Sequence, residues 1–264
     1  MVRECEAAEH AAVTDLYRVA PSALRERFGL ECVERPGVLT LLAPGLPVPM
    51  FNRALILDGA LAAADLEASL ASLANGRRRA YVQVPPGAEF DAVRTELQAR
   101  FGAPAGSWAR FRRAERRVAD AVTAFELREL GESDAPAFGS TIAVGFGLPP
   151  ELTPWLERLV GRKGWRAFGA FDSGRLVGCG ATFLEGARRT AWVGFGAVEP
   201  SSRRRGAQQA ILVRRMRAAF ADGAAAVVSE TGKPKPGEDG PSFRNLSRTL
   251  GFAYLRENYL VKAH

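Results

Sequence analysis

The chain has 264 residues, 47% hydrophobic and 25% charged, the balance of an ordinary globular protein and enough for one large domain or two small ones. Cys5, Cys32 and Cys179 lack metal-ligand spacing and the two histidines are too few for a histidine-rich site, so neither a disulfide framework nor a metal is expected. The start Met1-Val-Arg-Glu-Cys-Glu6 has no signal-peptide pattern and no stretch approaches the roughly 18 apolar residues of a membrane span, so the chain reads as cytoplasmic, without a membrane partner.

In chain order, Leu30 to Arg35 and Val38 to Leu42 flank Pro36-Gly37 and predict a hairpin, followed by a strand at Arg53 to Leu57. Leu66, Leu70 and Leu73 recur at i, i+4 and i+7 and predict a helix ending at Asn75-Gly76. A strand at Ala80 to Val84, a helix on Phe90, Val93 and Leu97, and a strand at Trp108 to Phe111 complete this half. No element is assigned before Leu30.

The second half opens with a strand at Phe125 to Leu130 and helices over Asp134 to Val144 and Glu151 to Leu159. Strands follow at Ala167 to Phe171, Leu176 to Phe183 and Thr190 to Val198, with turns at Asp172-Ser-Gly174 and Glu185-Gly186. Leu212, Met216, Ala219 and Phe220 mark a helix ended by Asp222-Gly223. A strand through Ala224 to Ser229, a helix on Phe243, Leu246 and Leu250, and a strand from Tyr254 to Val261 close the chain. Three strands, helix, strand, helix, strand therefore occur twice, which reads as a tandem duplication with domains at 1–117 and 118–264.

The net charge of +7 favours anionic ligands. No zinc-finger, heptad or RNA-binding aromatic motif accompanies it, so nucleic acid is not an expected partner. The most informative stretch runs from Trp192 through Val198-Glu-Pro200-Ser-Ser-Arg203-Arg204-Arg205-Gly206-Ala207-Gln208. There a strand ends, a turn follows, and a basic glycine-containing loop leads into a helix. The first four amides of a helix have no internal partner and its N-terminus carries about half a positive charge, so such a loop receives a phosphate. Gly206 allows close backbone approach, and Arg203, Arg204 and Arg205 raise the local potential.

The spacing Val198-x-Pro200-x2-Arg203-x2-Gly206 resembles the acetyl-CoA-binding loop of the GNAT family of N-acetyltransferases, whose usual form ends Arg/Gln-x-x-Gly-x-Gly/Ala. Gln208 stands where the family has a small residue. The resemblance extends from about Phe125 to Leu260 and includes the ending Asn245-x5-Gly251-Phe252.

It implies a mixed α/β fold class, with two GNAT-like domains of mainly antiparallel twisted sheet flanked by helices. It also implies acetyl-CoA as co-substrate, its pantetheine arm beside backbone groups of Ala197 and Val198 in a slot opened where that strand splays from the one around Val227. Its pyrophosphate would lie on the loop from Arg203 through Ala207 to Gln208. The acceptor would be a primary amine of a small molecule, peptide or protein, attacking directly in a ternary complex. The alternative is a catalytically silent CoA-binding module.

Amine acetylation needs a base, an oxyanion donor and an acid for the thiolate. Glu230, after Val227-Val-Ser, is the first candidate base and Glu199 the second. Ser247 occupies the position where many family members carry a tyrosine acid; Tyr254 and Tyr259 substitute only if the last strand turns them inward. Phe146 to Pro150, Trp155 and Trp165 are the candidate acceptor wall. The first half has only Ile56-Leu-Asp58-Gly-Ala-Leu at the equivalent place, and Asp58 repels phosphate, so no CoA site is expected there. That half would pack on the second, complete the acceptor pocket or mediate assembly, and a homodimer is compatible with either role.

Overall fold

The computed structural model describes residues 1–46, 48–75, 79–184 and 189–261, and the chain divides into two compact units. Unit 1 comprises residues 1–110, 231–243 and 253–264; unit 2 comprises 111–230 and 244–252. A single cut after residue 117 does not describe this division, because the chain returns to unit 1 for its last strand. The expected turn residues Glu185-Gly186, and Gly76, lie outside the described residues.

Two helices precede the first expected strand: α1 Val2–Arg18 and α2 Ser22–Phe28. Next come β1 Glu31–Arg35, β2 Val38–Leu42, β3 Arg53–Ile56, α3 Ala63–Asn75, β4 Ala80–Val84, α4 Asp91–Phe101 and β5 Gly106–Arg113. β1, β2 and β3 form an antiparallel meander, and β3 runs parallel to β4. The last strand of the chain, β11 Tyr254–Val261, enters between β4 and β5, antiparallel to both, so unit 1 carries the order β1-β2-β3-β4-β11-β5. Its Tyr259 and Val261 join Ile56, Leu70, Val82 and Leu97 in the core.

A buried charge network ties α1 to this sheet. Glu9, fully buried, accepts from Arg53 at 2.8 Å, from Arg256 at 2.7 Å and from Arg110. Glu6 accepts from the Tyr254 hydroxyl at 2.6 Å and from Arg256 at 3.2 Å. Burial pushes the Glu9 carboxyl up, but Arg256, Arg110 and Arg53 together outweigh it and hold the group well below the usual carboxylate range.

Unit 2 begins with β6 Glu126–Glu129, α5 Ala135–Phe146 and α6 Thr153–Leu156, the last flanked by 3-10 turns at Pro150–Leu152 and Glu157–Leu159 in place of one continuous helix. It continues with β7 Trp165–Asp172, β8 Arg175–Phe183, β9 Thr190–Val198, α7 Ala207–Ala221, β10 Ala226–Gly232 and α8 Pro241–Leu250. The strand order is β10-β9-β8-β7-β6, antiparallel except for β9 with β10. Ser173 and Gly174, both at positive φ, make the two-residue β7–β8 turn, matching the right-handed twist of the hairpin.

Unit 2 packs α7 on β7, β8 and β9, where Ile211 and Ala207 meet Val177 and Val198. α5 packs on β8 and β9. Each half thus shows two helices, a three-strand meander, a helix, a parallel strand, a helix and a final strand; the second half adds β6 in front. The architecture is mixed α/β. Among the described residues, no helix is long and apolar enough to cross a membrane.

Candidate functional site

The site grows from a fork between two parallel strands. β9 and β10 pair over three residues, Ala226↔Thr190 to Val228↔Trp192. The Ser229 hydroxyl then donates to the Val193 carbonyl at 2.8 Å, closing the base of the fork with a side chain instead of a ladder bond. Beyond it β9 continues through Gly194 to Val198. Ala197 and Val198 therefore lie on the stretch that extends past the pairing. Against this stretch sits the end of α5: a Cβ on Gly145 would lie 2.6 Å from that of Ala197.

β9 also carries a bulge beside the fork. Against β8, Cys179 pairs with Ala197 and Ala181 with Gly194, so Phe195 and Gly196 together oppose Gly180 alone. Phe195 sits at φ 54°, a left-handed conformation uncommon for an aromatic residue.

After β9 the chain makes a 3-10 turn at Pro200–Ser202 and enters α7 through Gly206, its N-cap, at φ 81°. Among the described residues no side chain caps this end, and the first backbone bond of the helix is Ala210 N–H to the Gly206 carbonyl. The amides of Ala207, Gln208 and Gln209 precede that bond and form the donor end of the helix dipole.

The three arginines diverge. Arg203 Nε donates to the Val198 carbonyl at 3.1 Å, which fixes the turn. Arg205 pairs with Asp172 at 3.0 Å and lies over the Phe125 ring. Arg204, at φ 61°, is exposed. Gly206 has a structural duty as well: a Cβ there would lie 2.2 Å from the Val122 carbonyl, and the Thr123 hydroxyl donates to the Arg205 carbonyl at 3.1 Å. The segment before β6 thus buttresses the loop. Gln208 accepts a bond from Asn245 of α8 at 2.8 Å, so the residue that departs from the loop pattern bridges two helices.

Of the candidate carboxylates, Glu230 lies at the fork, both its oxygens 3.0 Å from the indole nitrogen of Trp192. Glu199 is turned to Arg175 at 2.6 Å, at the start of β8. Ser247 lies on α8, its carbonyl accepting from Gly251 N–H at 3.1 Å. Tyr254 and Tyr259 lie in unit 1, the former held by Glu6 and the latter donating to Glu257 at 2.8 Å. Burial and then the bond to Glu257 push the Tyr259 hydroxyl up to about 12, and burial drives Tyr254 higher still.

Trp165, Phe183, Trp192 and Phe195 form a buried aromatic cluster, with Trp192 edge-on to both Trp165 and Phe195. Trp155 is fully buried in the core, whereas Phe146 stays exposed at the end of α5. Two residues of this region escape sequence reasoning. Trp192 orients Glu230 across the fork, a relation between strands that spacing along one strand does not reveal. Arg215 is buried under β9, a cation inside the apolar stripe of Leu212, Met216 and Ala219. Its charge amid that stripe was the available signal.

The corresponding place in unit 1 is built differently. β3 stays paired with β4 through Leu55↔Gln83 and ends one residue later. A Cβ on Gly59 would lie 1.8 Å from the Glu89 carbonyl, and Asp58 accepts from the Ala60 amide at 3.1 Å.

No protein-family model and no curated protein matches the chain. Solved structures do. A GCN5-related N-acetyltransferase from Kribbella flavida superposes with a TM-score of 0.61 at 13% identity, over 99% of this chain and 96% of the other. A GCN5-related N-acetyltransferase from Sphaerobacter thermophilus gives 0.61 at 13% identity, over 91% and 85%. A GNAT-family acetyltransferase from Colwellia psychrerythraea gives 0.53 at 18%, over 79% and 78%. The fold is the GNAT fold. The match to the first structure spans both units.

Proposed function

We propose that the chain is an acyl-CoA-dependent N-acetyltransferase that takes acetyl-CoA into the fork of unit 2 and transfers the acetyl group to a primary amine in a ternary complex. The observation that carries this reading is the parting of β9 from β10 beside an uncapped helix N-terminus entered through a left-handed glycine. The stretch of β9 at Ala197 and Val198, beyond its pairing with β10, suits the amide-bearing pantetheine arm, as an added strand would. The amides from Gly206 to Gln208 suit the pyrophosphate, with Arg203 and Arg204 adding positive potential. Acetyl-CoA supplies the activated acyl group.

In the reaction the amine nitrogen forms a bond to the acyl carbon, loses its proton to Glu230 directly or through water, and the thiolate leaves to be protonated from Ser247 or water. The first half, residues 1–117, is a degenerate copy, arisen by duplication, that binds no CoA. Its closed β3–β4 pairing, the contact at Gly59 and the carboxylate of Asp58 support this.

The test is a panel of amines, amino acids and peptides incubated with acetyl-CoA while thiol release is followed, together with melting of the protein with and without acetyl-CoA. The expected result is thiol release with one acceptor class and a raised melting temperature, growing with ligand concentration as RT ln(1 + [L]/Kd). A rise without thiol release on any acceptor identifies a silent CoA-binding module. No rise removes the cofactor site.

A further inference from the structure

Arg215 is the one buried cation of unit 2 for which the described residues offer no carboxylate. Its side chain leaves the middle of α7 and ends under the bulge of β9, 4% exposed. One terminal nitrogen, Nη1, donates to the Gly194 carbonyl at 2.7 Å and to the Ala181 carbonyl at 3.2 Å. The strands are cut away to admit it: a Cβ on Gly180 would lie 2.7 Å from its guanidinium carbon and one on Gly196 would lie 3.2 Å from its other terminal nitrogen. Gly180 and Gly196 are the residues that face one another across the bulge. Burial drives the Arg215 pKa down to about 10, so the group remains a cation at neutral pH.

A charge is expensive to bury, and a bulge is a place where the ladder leaves carbonyls to be satisfied by something else. Arg215 meets that need at Gly194. The consequence lies on the other side of the same peptide. In a trans peptide the N–H points opposite to the C=O, and no peptide bond among the described residues is cis. With the Gly194 carbonyl directed at Arg215, the Phe195 N–H points the opposite way, away from that guanidinium. The positive φ of Phe195 records this turn.

We propose that Arg215 is the positioning residue for the acyl group: it locks the Gly194–Phe195 peptide so that the Phe195 N–H stands at the fork as a donor to the thioester oxygen. The inference rests on the reading of the fork as an acetyl-CoA site. The guanidinium acts through the peptide and touches no substrate. Its charge, in a dry interior against Gly196, further favours negative charge developing on that oxygen.

The experiment measures the carbonyl stretch of acetyl-CoA labelled with 13C at the thioester carbon, free and bound, in the wild-type chain and in Arg215→Met and Arg215→Lys. Affinity for CoA, which lacks the acyl group, is measured alongside. The bound band of wild type is expected to shift to lower frequency. In Arg215→Met the shift disappears while CoA affinity stays within about twofold, because the phosphate loop and the edge at Ala197 are untouched. Arg215→Lys, which keeps the charge but not the planar guanidinium, gives a band between the two and carries the test if the methionine variant does not fold.

A full wild-type shift in either folded variant overturns the proposal. So does a fall in CoA affinity parallel to the loss of shift, since Arg215 would then shape the whole slot. Wild type that binds CoA without any band shift overturns this inference and leaves the cofactor reading standing. Wild type that binds neither ligand overturns the cofactor reading itself.

Discussion

At the scale of single residues, three carboxylates of unit 2 lie within hydrogen-bond reach of identified donors. Asp172 is paired with Arg205 at 3.0 Å and Glu199 with Arg175 at 2.6 Å. Glu230 accepts from the indole N–H of Trp192, whose nitrogen lies 3.0 Å from both of its oxygens. Glu230→Gln keeps a hydrogen-bonding side chain of the same shape at the fork and removes the proton acceptor. It is expected to lower turnover by about 10²–10⁴-fold, the range of general-base catalysis, while acetyl-CoA affinity measured by calorimetry stays unchanged. Equal turnover in the two forms would take Glu230 out of the mechanism.

The strand position of Glu230 was legible in the sequence because the residue follows the apolar run Val227-Val228. Trp192 as its holder was not, since the contact joins residues 38 apart on two strands. Arg215 was hidden for a related reason: an arginine on a helix reads as a solvated face unless the carbonyls beneath it are known.

At the scale of elements, the turn from β9 into α7 was readable almost residue by residue, because its geometry is dictated locally. A strand end, a proline turn, a glycine at positive φ and an uncapped helix start are all written within Val198 to Gln208. What the local pattern omits is the neighbour. Gly206 faces the Val122 carbonyl, so its lack of a side chain serves packing against the preceding segment as well as access for a ligand.

The two duties separate by substitution. Gly206→Ala is expected to lower the melting temperature of the free protein, at a cost of about 1–3 kcal/mol for a strained left-handed residue, yet to retain a rise with acetyl-CoA. Gly206→Asp is expected to lose that rise, since its carboxylate adds negative charge at the phosphate-binding amides. The ligand-induced difference in melting temperature is therefore the measurement, and an undiminished rise in the aspartate variant would place the cofactor elsewhere. The opposite failure of local reading is α1. Its apolar residues Cys5, Ala8, Ala12 and Leu16 keep helical spacing, but Glu6 and Glu9 are buried among them and disguise the inward face as a polar one.

At the scale of the whole molecule, periodicity identified β11 as a strand but gave no information about its neighbours. A strand's partners are set by tertiary contacts, here by β4 and β5 on either side and by the charges that α1 presents. Tyr254 and Arg256 of β11 meet Glu6 and Glu9 across 247 to 250 positions of sequence, so the first helix and the last strand are fixed to one another by the same buried network.

The network carries a pH dependence whose sign follows from Glu9. Its carboxyl is held below the ordinary value of 4.5 in the folded chain, so its contribution to stability is complete above that value and is lost as pH falls toward the lowered one. Glu9→Gln leaves the three guanidinia without their shared carboxylate, and breaking a buried ion pair in this way costs about 3–5 kcal/mol. Denaturant unfolding followed from pH 7 down to about pH 3 is expected to show a lower midpoint for the variant at pH 7 and a gap that narrows as the wild-type carboxyl is protonated. A gap that stays constant across that range would mean that the ionised form of Glu9 is not what the three arginines stabilise.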